Sequence, residues 1–483
     1  MLITDLLLSP SAIAELLRDP HSAAAEAVDR ARAAGVRLWL AAAAAGAYRS
    51  AAPSPGILAR FAAGCQWLNA LAGDVDPTAD DPLAVQLARG LGRLGAQARL
   101  LGRQEGDLTP ETLLAAPLDR QPIAFIDLAK QQDRIRPELE RRIDAVLRHG
   151  HYIMGPEVAE LESRLAEYVG VPHAIAVASG TDSLEIAYRA LGIGAGDEIV
   201  TVPFTWISTA ETIAQVGARP VFCDIEPVGF NLDPARLSAA ITPRTKAIVP
   251  VSLFGQPCET ERILAAAGGV PVIEDAAQSF GSTRHGRRSC ALTRIASTSF
   301  FPAKPLGCYG DGGCLFTDDD ALAARMRAIR THGGEKRHHH PYVGMNGRLD
   351  TLQAAILLAK LPLWQTEVEA RGRIGARYSD ALRGAVGVPE VLPGNTHVYA
   401  QYTIRVAGRD AVAERLKQAG IPSAVYYPRC LHEQPVFAGC GRIGDFPESE
   451  RASREVLSLP MHPSLDPTTQ DCIITVVRKA VRT

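Results

Sequence analysis

Lys304 sits in an unusual setting for a lysine. Its neighbours, Ser299-Phe300-Phe301-Pro302-Ala303 before it and Pro305-Leu306-Gly307 after it, are largely apolar and turn-forming. An amine among such side chains is partly desolvated, which disfavours the ammonium and leaves the neutral nucleophile that condenses with an aldehyde. Most lysines are solvated surface groups, so this window alone leaves that reading open too. Upstream, Val270-Pro271-Val272-Ile273 runs into Glu274-Asp275-Ala276-Ala277-Gln278. An apolar strand ending in carboxylates marks where an open α/β sheet carries its ligand residues. Asp275 is the candidate for an acid that keeps a pyridine nitrogen protonated, so that the ring can accept electrons. Further upstream, residues 173–178 read as a buried strand and Ser179-Gly180-Thr181-Asp182 as a turn and cap. Residues 183–191 then read as a helix with Leu184, Ala187, Tyr188 and Leu191 on one face. A helix N-terminus is a natural phosphate site, although Ser-Gly-Thr-Asp also caps helices that bind nothing. Phosphate turn, ring acid and lysine, in that order, point together to pyridoxal 5′-phosphate (PLP).

Such groups need a scaffold. The chain has 483 residues, enough for two to four domains, and 47% of them are apolar, so a large core is available. A formal net charge of −2 gives no electrostatic reason to expect nucleic acid or an anionic membrane as a partner. Nine cysteines, an odd number without a CxxC pair, argue against a disulfide framework and a structural zinc site, and fit a reducing cytoplasm. The most apolar run, residues 38–48, is too short to span a bilayer.

Residues 1–118 form an extra N-terminal domain rich in Ala, Leu and Arg, ending in a linker at residues 116–122. From there helical patterns at 137–148 and 157–168 lead into strands at 198–202, 219–224, 247–251, 271–274, 296–300 and 313–317. Strands alternating with helices imply a mostly parallel sheet flanked by helices, placed here in residues 119–350. Residues 351–483 read as a long amphipathic helix kinked at Pro362, then a small α+β domain with a strand at 398–406 and a helix at 410–419.

With these motifs in place, the chain from about residue 123 resembles the fold-type I PLP enzymes of the DegT/DnrJ/EryC1/StrS class, the sugar-nucleotide aminotransferases. The likeness rests on Ser179-Gly180-Thr181-Asp182, on Glu274-Asp275-Ala276-Ala277-Gln278-Ser279, on residues 299–313 and on Asn346-Gly347-Arg348-Leu349-Asp350-Thr351-Leu352-Gln353-Ala354-Ala355. Phe125-Ile126-Asp127-Leu128, residues 148–156 and Leu459-Pro460-Met461-His462-Pro463 bring it nearest to enzymes that aminate C3 of a UDP-linked 3-keto-N-acetylglucosaminuronic acid for bacterial surface polysaccharide.

The resemblance implies that Lys304 forms the Schiff base with PLP and that Asp275 pairs with its ring nitrogen. It implies that Gln278 touches the ring or its phenolic oxygen, and that Gly180, Thr181 and Ser299 hold the phosphate. Trp206 falls where the family sets an aromatic ring against the cofactor; a core tryptophan is the other reading. Asn346 is expected to reach the neighbouring subunit's phosphate, making a homodimer with shared sites, and Arg348 to meet the substrate, where a guanidinium suits a uronate carboxylate. Relatives carry His-Tyr-Pro where this chain has Tyr426-Tyr427-Pro428, so Tyr426 as a sugar contact and the exact sugar stay open. L-Glutamate is the expected amino donor. The rivals are an aminotransferase for a dTDP-linked 3- or 4-keto-deoxysugar and a regulatory protein that keeps the fold without the chemistry.

Other features carry less. His338-His339-His340 with His332 nearby lacks the geometry of a metal site. Gly310-Asp311-Gly312-Gly313 precedes a strand rather than a helix, so it reads as the turn after the lysine and not as a dinucleotide fingerprint. The N-terminal segment distantly resembles a PIN-like nuclease domain, but with only Asp5 and Asp81 as acids in plausible places it reads as degenerate.

Overall fold

The computed structural model describes residues 123–482 and, within the first 122, five short strands. These are β1 (Asp5–Leu8), β2 (Arg37–Leu40), β3 (Cys65–Trp67), β4 (Ala98–Leu101) and β5 (Asp107–Leu108). All pair in parallel, in the order β3-β2-β1-β4-β5. Asp5 opens β1, whereas Asp81 lies outside the described residues. The chain divides into two compact units, Met1–Ile123 and Ala124–Thr483.

The second unit is built on strands β6 (His173–Val177), β7 (Glu198–Thr201), β8 (Arg219–Phe222), β9 (Thr245–Val249) and β10 (Ile273–Asp275). A small hairpin, β11 (Thr283–Arg284) with β12 (Arg287–Arg288), precedes β13 (Ile295–Ser299) and β14 (Gly313–Thr317). Parallel bridges Ile248–Val272 and Val251–Asp275 join the β8-β7-β9 group to the β10-β13-β14-β6 group. The continuous order is therefore β8-β7-β9-β10-β13-β14-β6, with only β14 antiparallel to its neighbours. Every residue of β7 and β14 is buried. Burial on both faces explains why these strands read as apolar runs rather than alternating ones.

Several boundaries differ from the sequence reading, each for a local reason. The helix Leu128–His149 encloses Pro137, the expected start; Asp127 caps it, its side chain accepting the Lys130 N–H at 3.0 Å. The helix expected from residue 183 begins at Gly180, because Ser179 is its N-cap and accepts the Asp182 N–H at 3.0 Å. Ser-Gly-Thr-Asp is thus cap and first turn rather than a separate turn. The long helix Thr351–Leu382 continues through Pro362.

Of the strand expected at 398–406, only Tyr402–Arg405 forms β15, paired antiparallel with β16 (Val456–Leu459). The residues before it are drawn off by other partners: the Val398 N–H bonds the Gly255 carbonyl at 2.9 Å and the Tyr399 N–H bonds His397 Nδ1 at 2.8 Å. Phe280, Phe300, Phe316 and Trp364 share one buried cluster, so the sheet, the lysine loop and the long helix pack as one body.

Candidate active site

Asp275, Ser299, Gly180 and Thr181 lie at the C-terminal end of a strand or in the helix that follows it. Asp275 ends β10, Ser299 ends β13, and Ser179 follows β6. Carboxyl ends of neighbouring strands are where an open α/β sheet leaves a crevice. Here they surround a cavity of about 770 Å³, a size suited to a cofactor and part of a substrate. Gly180, Thr181, Ser299 and Lys304 line it, as do Trp206, Asp275, Gln278 and Tyr426. Asn346 and Arg348 do not: Arg348 Nε donates to Asn346 Oδ1 at 2.9 Å, outside this chain's own cavity.

The helix-terminus end of the cavity is set by close approach. A Cβ on Gly180 would stand 2.8 Å from Ser299 Cβ, so only glycine lets the helix terminus and the Lys304 loop meet. Ser179 occupies the Asp182 N–H, while the first-turn N–H groups of Gly180 and Thr181 have no carbonyl four residues back in the helix. Thr181 Oγ1 lies 3.0 Å from Ser208 Oγ, which donates to Glu211 Oε1 at 3.0 Å. Two helix starts, at Gly180 and Ser208, thus bring hydroxyl and N–H donors to one spot.

Asp275 is 5% exposed, and burial raises its pKa. Hydrogen bonds from the Ala277 N–H at 3.2 Å and Thr209 Oγ1 at 2.9 Å, with the charge of Lys304, pull the other way. Lys304 shows the mirror image: surrounding protein lowers its pKa and the Asp275 charge opposes that. Burial thus acts against the charge on each group, and their mutual attraction opposes it.

Trp206 is 58% exposed on the cavity wall, which excludes the core-tryptophan reading. Its ring is tilted against that of Tyr427, with centroids 6.1 Å apart. Gln278 is buried with both ends of its amide engaged: Oε1 accepts the Phe254 N–H at 2.8 Å and Nε2 donates to the Tyr427 hydroxyl at 3.2 Å. The second Nε2 hydrogen and the face of the amide remain to meet a ligand.

Thr209, Ser208, Glu211 and Tyr427 join the site without being among the residues the sequence points to. Ser208 and Glu211 were findable in principle, because Ser208-Thr209-Ala210-Glu211 reads as a helix start. The Thr209–Asp275 contact spans 66 positions, a pairing that only the fold reveals.

The chain is 53% identical over 347 residues to the UDP-2-acetamido-2-deoxy-3-oxo-D-glucuronate aminotransferase of Pseudomonas aeruginosa, covering 71% of this chain and 96% of the relative. A crystal structure of a DegT DnrJ EryC1 StrS aminotransferase from Brucella abortus superposes with a TM-score of 0.72 at 46% identity, covering 74% of this chain and 98% of that one. NtdA from Bacillus subtilis, crystallised with bound cofactor PMP, gives a TM-score of 0.68 at 28% identity over 74% of this chain and 83% of its own. Residues 133–478 match the family as a whole, and the chain belongs to the DegT/DnrJ/EryC1/StrS aminotransferase family.

Proposed function

We propose that the protein is a PLP-dependent aminotransferase that aminates C3 of UDP-2-acetamido-2-deoxy-3-oxo-glucuronic acid with L-glutamate as donor, for a bacterial surface polysaccharide. The observation that carries this reading is the meeting of Lys304, Asp275 and the Gly180 helix terminus in one cavity. The named activity of the Pseudomonas relative supports the choice of sugar.

The residues fit the cofactor. Asp275 is buried with two hydrogen-bond donors already in place that favour its carboxylate, which a protonated ring nitrogen would stabilise further. Gly180, Thr181 and Ser299 would hold the phosphate, and Trp206 and the Gln278 amide plane would flank the ring. When bound, PLP supplies a carbonyl that condenses with amines and a ring that delocalises the electron pair left on the substrate carbon.

The chain's own part is to bind, orient and move protons. Lys304 Nζ, with its lowered pKa, takes the proton from Cα of glutamate in one half-reaction and delivers one to C3 of the sugar in the other. In balance, glutamate and the keto sugar become 2-oxoglutarate and the amino sugar: the amino group and two electrons move, and the keto oxygen goes the opposite way through water.

Asn346 and Arg348 are assigned to the site of a second copy, with Arg348 facing the uronate carboxylate and Tyr426 meeting the sugar. Support comes from their position outside their own cavity and from exposed Tyr152, Ile153, Met154 and Val343, with Ile153 bridged to Asp350. Among the described residues no helix is long and apolar enough to cross a membrane, and we place the reaction in the cytoplasm. The N-terminal unit is assigned a non-catalytic, degenerate PIN-like role.

The test is an amination assay over a panel of keto-sugar nucleotides with nitrogen-labelled glutamate, read by mass. Label should appear at C3 of the UDP-linked uronic acid. Label appearing only in a dTDP-linked keto-deoxysugar would move the substrate, and none in any acceptor would overturn the reading.

A further inference from the structure

The loop bearing Lys304 leaves β13 at Ser299 and rejoins the sheet at Gly313, and the long helix Thr351–Leu382 holds its far side. Gln353 and Lys360 lie seven residues, two helical turns, apart and so share one face of that helix. Gln353 Oε1 accepts the Tyr309 N–H at 2.9 Å. Lys360 Nζ donates to the Gly307 carbonyl at 2.5 Å and stands 4.3 Å above the centre of the Tyr309 ring. The helix therefore grips the loop at residues 307 and 309, close after the reacting lysine.

Lys360 is a costly way to make that contact. It is 3% exposed, and among the described residues no carboxylate lies within salt-bridge distance of its ammonium. Burial pushes its pKa down to about 8, with the nearby Cys308 and Glu367 acting in the opposite sense. Buried ammonium groups without a counter-ion are rare because methionine or leucine would fill the same space without desolvation. Packing alone does not account for it.

The grip falls where the loop has no slack. A Cβ on Gly307 would come within 2.5 Å of the Pro302 carbonyl oxygen and 2.6 Å of that of Phe301, so the chain crosses itself there with Lys304 at the apex. Inside that crossing the Lys304 N–H bonds the Phe301 carbonyl and the Cys308 N–H bonds the Phe300 carbonyl, each at 2.8 Å. A shift of Gly307 is therefore passed to Lys304 rather than absorbed.

We propose that Lys360 is a positioning residue for Lys304: with Gln353 it pins the crossing of the loop and so fixes where the Lys304 amine stands in the cavity. Lys360 does not line the cavity and touches no reacting group. The inference rests on the amino-transfer reading of Lys304, but its first readout needs no substrate.

The test compares holoenzymes of wild type, Lys360→Met, Lys360→Arg and Gln353→Ala. The pH midpoint of the cofactor's visible absorption band, kcat per bound cofactor, KM for both substrates and Tm are followed. Lys360→Met should shift the band midpoint by about half a pH unit or more and lower kcat about tenfold, with KM changed less than about twofold. Lys360→Arg, which keeps a cationic donor, should recover most of both. A Lys360→Met enzyme with a lower Tm but unchanged midpoint and kcat would overturn the proposal, leaving Lys360 a purely structural group. Should Lys360→Met fail to fold, Gln353→Ala, which cuts the neighbouring anchor and keeps the charge, must show the same midpoint shift; an unchanged midpoint overturns the proposal equally. A wild type without a visible band would instead sink the amino-transfer reading itself, and this one with it.

Discussion

Thr209 donates its hydroxyl proton to Asp275 Oδ2 across 2.9 Å, tying the helix after β7 to the acid at the end of β10. Thr209 is 1% exposed, so this donor is shielded from water, and its oxygen also lies 3.3 Å from Thr205 Oγ1. It is one of two hydrogen bonds that oppose the upward pull of burial on the Asp275 pKa. A substitution that removes it should make the acid harder to ionise and therefore a poorer partner for a pyridinium.

Thr209→Val keeps the shape and deletes the donor. A hydrogen bond to a charged group contributes about 1.5–3 kcal/mol, so affinity for PLP should fall roughly ten- to a hundredfold. Titration of the cofactor-free protein with PLP, followed by absorbance, measures this. Unchanged affinity would mean that Asp275 does not meet the ring as an ionised acid.

His397 should make the protein sensitive to acid. It is buried, its pKa is pushed down to about 3 by burial, and its Nδ1 accepts the Tyr399 N–H at 2.8 Å. A histidine that is neutral when folded and has a higher pKa when unfolded binds its proton in the unfolded state first. Its contribution is therefore fully present above about pH 6.5 and is lost as pH falls toward 3, at up to about 1.4 kcal/mol per unit. His462, lowered by burial to about 4, acts in the same sense. Denaturant midpoints between pH 7 and 4 should fall steeply in the wild type and less steeply in His397→Gln; equal slopes would contradict this.

How much of this was legible in the sequence depends on the range of each interaction. Lys304, Asp275 and Ser179 could be found because each is announced by its own strand, turn or cap within a few residues. The helix begins at Gly180, three residues before its expected start, because Ser179 alone is the cap and Gly180, Thr181 and Asp182 form the first turn. Residues 398–401 look like strand, yet hydrogen bonds to Gly255 and His397 take them out of the ladder. Thr209 beside Asp275 and Lys360 beside Gly307 are contacts between distant elements, to which local pattern is blind.

Arg348 is predicted to serve the partner's site. Chains carrying Lys304→Ala and chains carrying Arg348→Ala should each be inactive alone. Mixed under conditions of proven subunit exchange they should regain part of the activity, because each hybrid dimer holds one site with both residues intact. No recovery would place Arg348 outside a shared site.

Removal of residues 1–122 should leave amination largely intact. The family match spans residues 133–478, and among the described residues those lining the cavity lie at Phe125 or beyond. Steady-state kinetics of the truncated chain should stay within about threefold of the full chain, below roughly 1 kcal/mol of transition-state stabilisation. A truncated protein that folds as a dimer yet does not turn over would give the first unit a part in catalysis.

If the Lys304 amine carries the cofactor and moves the proton, replacing it must abolish both. Transfer of labelled nitrogen from glutamate to the keto sugar is to be followed for wild type and Lys304→Ala, with the absorption spectrum recorded on the same samples. A visible cofactor band and label transfer are expected in the wild type, and neither in the variant. Label transfer by Lys304→Ala at the wild-type rate would contradict this.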